Sequence, residues 1–229
     1  NMGCPARKIV SKGDGSALMK DPALAASIVR AVKRAVEHPV TVKFRRGWAE
    51  GDETAPAFAR LMEEAGADGV TVHGRFAEQL YRGSADWGVI ARVREAVSVP
   101  VVGNGDIRSG ADAVRMAAET SCDAVMIARG AEGNPWLFSQ VQAALAGEAE
   151  PAPPTVEERI AMARRHAELL THREGRNIVR MRKHAMWYLA GLPGAAAARG
   201  RINACVSVED FDRVFDELLA LLGEHEQEG

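Results

Sequence analysis

Short apolar runs and amphipathic segments alternate along the first two thirds of the chain. Four runs rich in β-branched residues predict strands, and they cover 39–45, 69–75, 99–107 and 122–130. Segments with helical periodicity lie before, between and after them, at 21–36, 52–68, 86–97, 109–120 and 134–145. Repeated strand–helix units predict a parallel sheet covered by helices, and both a doubly wound sheet and a barrel fit this pattern.

A different pattern begins after the Pro-rich segment GEAEPAPPT at 147–155. Beyond it the strand signal ends, and helical patterns follow around 176–190 and 208–222. Thr155 and Glu158 have the spacing of a capping box, which predicts that another helix begins there. We therefore expect an α/β domain over 1–146, a linker over 147–155 and a small all-helical domain over 156–229.

The composition is that of a folded domain without a membrane span. The 229 residues are 47% hydrophobic, and no apolar run approaches the roughly 18 residues that a membrane helix needs. The three cysteines (Cys4, Cys122 and Cys205) are far apart and form no CxxC pair. This usage predicts reduced thiols in a cytoplasmic protein, with neither a disulfide framework nor a metal site.

Charge is unevenly distributed although the net charge is only −2. Residues 155–201 hold ten Lys and Arg against four Glu, whereas 202–229 hold one Arg against eight Asp and Glu. A basic segment between a nearly neutral body and an acidic tail is a candidate surface for a polyanion. The alternative interpretation is a solvated helical face.

Two charged side chains lie on the polar face of consecutive predicted strands. Alternation places Val42 and Phe44 on one face of the first strand and Lys43 on the other, and the next strand places His73 on the matching polar face. Parallel sheets bind ligands at the carboxyl ends of their strands. Lys43 and His73 are therefore candidate ligand-binding residues.

Further candidates lie at the same edge of the predicted sheet. The last two strands end in the Gly-rich stretches GNGDI and ARGAEG, whose backbone N–H groups could hold a phosphate, with Arg129 adding positive charge. Cys4 lies in a turn that faces this edge, where it could act as a proton donor or nucleophile. Taken alone, a single Cys is more often a small buried apolar residue.

Six motifs occur in order: NMGCP, TVKFRRGW, VTVHGR, GNGDI, MIARGAEGNPWLF and RMRKHAMWYLAG. Together they closely resemble bacterial tRNA-dihydrouridine synthases, from residue 1 to about residue 222. The resemblance implies an α/β fold, the C-terminal half of a (β/α)8 barrel that binds FMN, followed by a small all-helical domain that binds tRNA.

The resemblance also implies a reaction. Reduced FMN, recharged by NADPH, gives a hydride to carbon 6 of a flipped-out uracil in tRNA, and a cysteine protonates carbon 5. Cys4 matches that cysteine, and a thiol suits the role only while it is protonated. No metal is implied.

The same resemblance implies the cofactor-binding residues. Lys43 matches a lysine beside the flavin pyrimidine ring, and His73 matches a flavin-contacting histidine. Cofactor contacts are also implied for Asn104, Gly105, Asp106, Ala128 and Arg129. The family often has Gly-Arg where Ala128-Arg129 stands, and Thr-Arg where Phe76-Ala77 stands, which leaves Arg82 as a substitute for the missing basic residue.

Five basic residues are expected to bind RNA: Arg45, Arg75, Arg180, Lys183 and His184. The last three lie on one face of the predicted helix, where phosphate contacts carry little sequence information. Trp187 and Tyr188 on the same helix either stack on a base or belong to the core of the small domain.

In this family the cysteine loop follows barrel strand four, so we expect the preceding strands to be missing and the chain to be part of a longer protein. Two alternatives stay open at this point. One is an FMN barrel reductase of a free pyrimidine, similar to a dihydroorotate dehydrogenase, and the other is a non-catalytic RNA-binding fragment.

Overall fold

The structure is a computed structural model, which describes residues 1–174 and 178–227. The chain divides into two compact units. The first comprises 1–130 with 140–150, and the second comprises 131–139 with 151–229. Residues 131–139 thus group with the second unit although they precede the Pro-rich segment.

The first unit contains a four-stranded parallel sheet. Its strands are β1 (Thr41–Arg45), β2 (Gly69–His73), β3 (Val101–Asn104) and β4 (Ala124–Met126). They pair in the order β1-β2-β3-β4, so each strand lies beside the next one in the chain. A doubly wound sheet reverses its strand order at a switch point, whereas a barrel does not. The order therefore matches part of a (β/α)8 barrel and confirms the predicted fold class.

The described helices of the chain alternate with these strands and then continue without strands. Those up to the end of the first unit are α1 (Arg7–Val10), α2 (Pro22–Ala35), α3 (Ala55–Glu64), α4 (Gly88–Ala96), α5 (Gly110–Thr120) and α6 (Leu137–Ala146). The later ones are α7 (Val156–Glu174), α8 (Met181–Tyr188), α9 (Ala195–Ile202) and α10 (Val208–Gln227). Short 3₁₀ helices cover Gly15–Lys20, Arg129–Ala131 and Ile178–Arg180.

Capping residues fix three of these helix starts. The Asp21 carboxylate accepts a hydrogen bond from the Leu24 N–H at 3.0 Å, and the Ser109 hydroxyl accepts one from the Asp112 N–H at 3.1 Å. At α7, the Thr155 hydroxyl accepts from the Glu158 N–H while the Glu158 carboxylate accepts from the Thr155 N–H. Each bond satisfies an N–H group that the first helical turn leaves without a partner.

The sheet buries its apolar face against the helices, as strand alternation predicts. Val42, Phe44, Val70 and Val72 are each at most 4% exposed, and the Phe44 ring meets the Phe58 ring of α3 edge-on at 5.1 Å. The opposite face carries Lys43 and is therefore free to form a site.

Three differences from the sequence-based prediction concern β4 and the second unit. The fourth strand spans only 124–126, because the backbone turns into a 3₁₀ helix at Arg129. Arg180 does not belong to the predicted long helix; it ends a 3₁₀ turn and precedes α8, while 175–177 lie outside the described residues. The Ala-rich α9 was not predicted, since its sequence has almost no apolar periodicity.

The second unit packs around an apolar core of its own. Its fully buried side chains include Ile160, Met181, Leu189, Ile202, Phe211 and Phe215. Trp136, which lies before the Pro-rich segment, packs against this core and explains why 131–139 belong to this unit.

Gly133 is a point where this packing admits no side chain. Its φ is 74°, and a Cβ atom added there would meet the carbonyl group of Trp187 well inside van der Waals distance. Replacing Gly133 by Ala is therefore expected to destabilise the second unit by at least about 2 kcal/mol, from backbone strain and overpacking. Urea unfolding followed by far-ultraviolet circular dichroism measures this.

Gly200 provides the matched control for this prediction. It lies within α9, and a Cβ added there would meet no atom within 4 Å. Gly200→Ala is expected to stabilise the helix by about 0.5–1 kcal/mol, because Ala has the higher helix propensity. Equal effects of the two substitutions would contradict the packing argument.

Candidate functional site

Three side chains form a row at the carboxyl ends of the strands. The strand register pairs Arg45 with His73 and His73 with Asn104, and all three are at least 92% buried. Lys43 pairs with Thr71 and lies one step deeper in the sheet on the same face. The register therefore brings Lys43, His73 and Asn104 together, as expected, and inserts Arg45 directly beside His73.

Lys43 is a cation in partly dehydrated surroundings. Burial, and then the positive charge of Arg45, lower the pKa of its ammonium group from 10.5 to about 8. At neutral pH the ammonium group is still protonated, but its burial makes the positive charge unfavourable. An anionic neighbour would stabilise that charge.

His73 is the most perturbed titratable group described in the first unit. It is 8% exposed, and its pKa is lowered to about 3 by burial and by the positive charges of Arg45, Lys43 and Arg75. The imidazole is therefore neutral at pH 7 and carries one donor and one acceptor. Neither ring nitrogen makes a hydrogen bond of normal geometry within the described part of the chain, although the nearby Asn104 backbone offsets a small part of the lowering of the pKa. Buried polar atoms are rarely left without partners, so this ring points to a ligand.

The turn Asn104–Asp106 borders His73. Gly105 has φ 131° and Asp106 has φ 58°, and a Cβ on Gly105 would approach the His73 Nδ1 atom to 3.4 Å. The Asn104 side-chain amide donates to the Met126 carbonyl at 2.8 Å, and the Trp87 indole N–H donates to the Gly105 carbonyl at 3.0 Å. These two hydrogen bonds, with Met126 and with Trp87, therefore hold the turn, and its backbone lies next to the His73 imidazole.

Asp106 connects three loops at the mouth of the sheet. Burial alone would raise the pKa of its carboxyl, but the Ala85 N–H and the Arg75 guanidinium outweigh that effect and lower the pKa overall. Arg129 also reaches Asp106, at 3.4 Å. Asp106 is therefore an ionised anchor for the groups around it.

Arg45 and Arg75 point into the protein. Arg45 donates to the carbonyl oxygens of Gly3, Phe76 and Leu80, at 2.8, 3.0 and 3.2 Å. The Arg75 side chain is 2% exposed and is occupied by Asp106 and two carbonyl groups. RNA binding by these two residues stays a prediction, and their placement favours holding the loops over contacting a polyanion.

Ala128 and Arg129 are exposed beyond the end of β4. The Arg129 guanidinium lies 4.6 Å from the centre of the Tyr81 ring, which is itself 61% exposed. The phosphate-binding role of Ala128 and Arg129 stays a prediction, supported by this exposed charge.

Sequence reasoning missed Tyr81, because a single aromatic residue in a loop carries no periodic signal. Arg82, the expected substitute, donates to the Glu78 carbonyl.

Cys4 lies half-buried beside the end of β1. The Met2 N–H donates to the Lys43 carbonyl at 2.7 Å, which aligns the first residues with β1. The Cys4 carbonyl accepts from the Ser16 N–H, and Gly15 packs so closely that a Cβ there would lie 2.6 Å from the Cys4 carbonyl oxygen. The thiol is free of any disulfide. Backbone contacts thus fix its position at the polar end of the sheet.

In the second unit, the predicted basic residues surround a cavity of about 470 Å³. It is lined by Val179, Arg180, Arg182, Lys183, His184, Met186 and Asn203. The structure thus brings Arg180, Lys183 and His184 together around one concave surface, although Arg180 precedes α8. Their RNA-binding role stays a prediction.

His184, which lines this basic cavity, lies close to two further rings. The His184 ring lies 4.4 Å from the His166 ring and 5.1 Å from the Trp187 ring, and the Lys183 ammonium lies 4.5 Å from the Trp187 ring. Tyr188 is 5% exposed within the core, which favours the core interpretation for it. Burial, followed by the nearby His184, lowers the pKa of His166, a residue that sequence reasoning missed.

Two features of the described residues bear on membranes and metals. None of the helices described is long and apolar enough to cross a membrane. Within the same residues, no group of three or more His, Cys, Asp or Glu side chains is placed to hold a metal ion.

Known proteins are similar to this chain over most of its length. The model of the dihydrouridine synthase family matches residues 1–222. A probable tRNA-dihydrouridine synthase of Rickettsia bellii is 45% identical over 206 residues, which are 89% of this chain and 63% of that protein. The tRNA-dihydrouridine synthase B of Pseudomonas aeruginosa is 43% identical over 220 residues, covering 92% of this chain and 66% of the relative.

A cyanobacterial relative shows the same relation of lengths. The probable tRNA-dihydrouridine synthase 1 of Synechocystis sp. is 40% identical over 221 residues, which are 96% of this chain and 62% of that protein. The chain thus spans slightly less than two thirds of each of these three relatives. A match over residues 1–222 and identities of 40% or more establish that the chain belongs to the dihydrouridine synthase family.

Proposed function

We propose that this protein is the core of a tRNA-dihydrouridine synthase, which reduces uridines in tRNA to 5,6-dihydrouridine in the cytoplasm. FMN is the proposed cofactor and NADPH the proposed reductant. The single observation that carries the proposal is the buried, neutral and unpartnered His73 beside the dehydrated Lys43, in a chain of this family.

The residues at the mouth of the sheet fit FMN. The proposed cofactor site is made of Lys43, His73, Asn104, Gly105, Asp106, Ala128 and Arg129. A flavin ring carries several carbonyl and nitrogen atoms that can satisfy the orphaned His73 nitrogens, and a phosphate suits the exposed guanidinium of Arg129. When bound, FMN supplies the hydride that uracil receives at carbon 6.

Each protein residue then has a separate role. Lys43 supplies positive charge that favours an electron-rich flavin over a neutral one, and its partial burial strengthens that interaction. His73 hydrogen-bonds as a neutral ring and does not serve as an acid at neutral pH, because its pKa is about 3. Cys4 is the proposed proton donor to carbon 5 of uracil, from a thiol whose backbone is held by Ser16 and Gly15.

We propose that tRNA binds through the helical unit. The cavity lined by Arg180, Lys183 and His184 combines positive charge with the adjacent Trp187 ring, a combination that suits a phosphate backbone. A free pyrimidine would need no such surface, and the relatives are named tRNA-dihydrouridine synthases, so both observations favour tRNA over the free-pyrimidine alternative.

The experiment that tests the function is a visible spectrum of the purified chain with FMN, followed by incubation with NADPH and tRNA. Flavin retention and dihydrouridine in the tRNA would support the proposal. If the chain is colourless, the same experiment is made on a version extended to the length of the relatives. A colourless extended protein that still binds tRNA would instead favour the non-catalytic RNA-binding alternative.

Removing a cavity charge is expected to weaken tRNA binding without changing sequence preference. Lys183→Gln should lower tRNA affinity several-fold and reduce the slope of log affinity against log salt by about 1, since one phosphate contact is lost. Filter binding at several salt concentrations measures this.

Arg199→Gln is the control for this charge effect. Arg199 is an exposed arginine of α9 in the same unit and does not line the cavity. Its replacement removes an equal charge and should leave the salt slope unchanged. Equal slopes for the two variants would contradict the role given to the cavity.

A further inference from the structure

Arg75 is the most deeply buried cation described in the first unit. Its side chain is 2% exposed, yet the residue lies in a loop, two residues after the end of β2, where side chains are ordinarily solvated. A buried charge is costly unless it is paired, so the groups that the guanidinium contacts show what it does, while its Nη1 atom has no partner among the described residues.

The hydrogen bonds of the Arg75 side chain hold two loops, its own loop after β2 and the loop after β3. Its Nη2 atom donates to both carboxylate oxygens of Asp106, at 2.9 and 2.7 Å, and to the Gly83 carbonyl at 2.7 Å. Its Nε atom donates to the Arg82 carbonyl at 3.2 Å. The side chain therefore connects the loop after β2 to the residue that follows Gly105.

Asp106 holds a backbone conformation that needs support. Its φ of 58° lies in the left-handed region, which L residues rarely adopt, and Gly105 before it has φ 131°. Its carboxylate also accepts from the Ala85 N–H at 2.8 Å. Without Arg75, this half-buried carboxylate would lose its closest positive charge, and the turn would be free to relax to an ordinary conformation.

The turn borders the atoms that lack partners. The Gly105 position lies against the His73 ring, both of whose nitrogens are unpaired within the described chain. A shift of this turn would move the Asn104–Asp106 backbone relative to His73 and change the shape of the space that a ligand must fill.

We propose that Arg75 is a positioning residue that acts through Asp106 to hold the turn Asn104–Asp106 in the shape that flavin binding requires. The claim that flavin binding requires this shape rests on the proposed function. The claim that Arg75 holds the turn through Asp106 rests only on the contacts within this chain.

The first test needs no cofactor. Arg75→Met and Asp106→Asn are compared by hydrogen–deuterium exchange of peptides that cover 84–88 and 101–109. Both variants should exchange at least about tenfold faster there than the unchanged protein. Arg94→Gln is the matched control, because Arg94 pairs with Asp123 at 3.3 Å before the start of β4, away from the mouth. Unchanged exchange in Arg75→Met would overturn the proposal.

The second test is a double-mutant cycle on the dissociation constant for FMN, measured by fluorescence titration. Each single variant should weaken binding about 10–100-fold, as is typical for groups that orient a ligand's direct contacts. The double variant should be no weaker than the weaker single one, because both act through one link. Additive losses would overturn the proposal, since they would mean that Arg75 contacts the flavin independently, for instance through its unpaired Nη1 atom.

A conservative variant separates positioning from general stability. Arg75→Lys keeps the charge beside Asp106 but loses the planar fork, so it should recover part of the FMN affinity that Arg75→Met loses. A purely structural ion pair would lower the melting temperature and leave the FMN dissociation constant of the folded protein unchanged, which would also overturn the proposal. If neither the chain nor its extended version binds FMN, the proposed function fails, while the exchange comparison still decides whether Arg75 holds the turn.

Discussion

Replacing Cys4 by Ala is expected to lower the rate of dihydrouridine formation in tRNA by about 10²–10⁴-fold, the usual contribution of a general acid. FMN binding and NADPH oxidation should remain, because the residues proposed to hold FMN lie on β1, β2, β3 and the loops that follow β3 and β4. The measurement pairs dihydrouridine quantification by mass spectrometry with NADPH absorbance in the same reaction, using a version of the protein that retains FMN.

The physical reason for the expected loss is that the Cys4 thiol is the proposed source of the proton that carbon 5 of uracil receives. The thiol is held at a fixed position. Its backbone is held by the Ser16 N–H and by the close approach of Gly15, so the position of residue 4 does not depend on the thiol itself. An alanine at residue 4 preserves this backbone and removes only the acid.

Cys122→Ala provides the control for loss of a thiol. Cys122 is also a free, half-buried cysteine of the first unit, but it precedes β4 and therefore lies at the amino ends of the strands. Its replacement should leave product formation unchanged. Undiminished dihydrouridine formation by Cys4→Ala would remove Cys4 from the mechanism.

The sequence predicts those parts of the fold that depend on local pattern. Short β-branched runs, strand alternation and the capping box of Thr155 and Glu158 each report on a few neighbouring residues, and the structure confirms them. The open choice between a doubly wound sheet and a barrel is a question of strand order, which is non-local and which the structure resolves.

The arrangement of the candidate site could be predicted only in part. Alternation places Lys43 and His73 on one face, but the register that sets Arg45 and not Lys43 opposite His73 follows from how whole strands pair. Likewise, the sequence predicts RNA binding for Arg75 and gives no sign that its side chain is buried. Its burial depends on Asp106, which lies 31 residues later in the chain.

Raising the pH above 8 is expected to weaken FMN binding progressively. Burial, and then Arg45, lower the pKa of Lys43 to about 8, so the free protein loses this positive charge at moderately alkaline pH. An anionic ligand stabilises the protonated form and raises that pKa in the complex. By linkage, the dissociation constant should rise about tenfold for each unit by which FMN raises the pKa of Lys43. Fluorescence titrations between pH 7 and pH 10 measure it.

The sign of the same shift also predicts the stability of the protein without FMN. Because the folded pKa lies below the ordinary value of 10.5, the unfolded chain binds more protons between about pH 8 and 10.5, and the destabilisation caused by burying the protonated Lys43 is relieved across that range, so that stability rises with pH. Lys43→Met should therefore abolish both pH dependences and bind FMN weakly at every pH. Lys33→Gln is the control, since Lys33 pairs with Asp68 on the exposed surface and should alter neither. An FMN dissociation constant that stays flat from pH 7 to pH 10 in the unchanged protein would show that Lys43 is not the charge that the flavin needs.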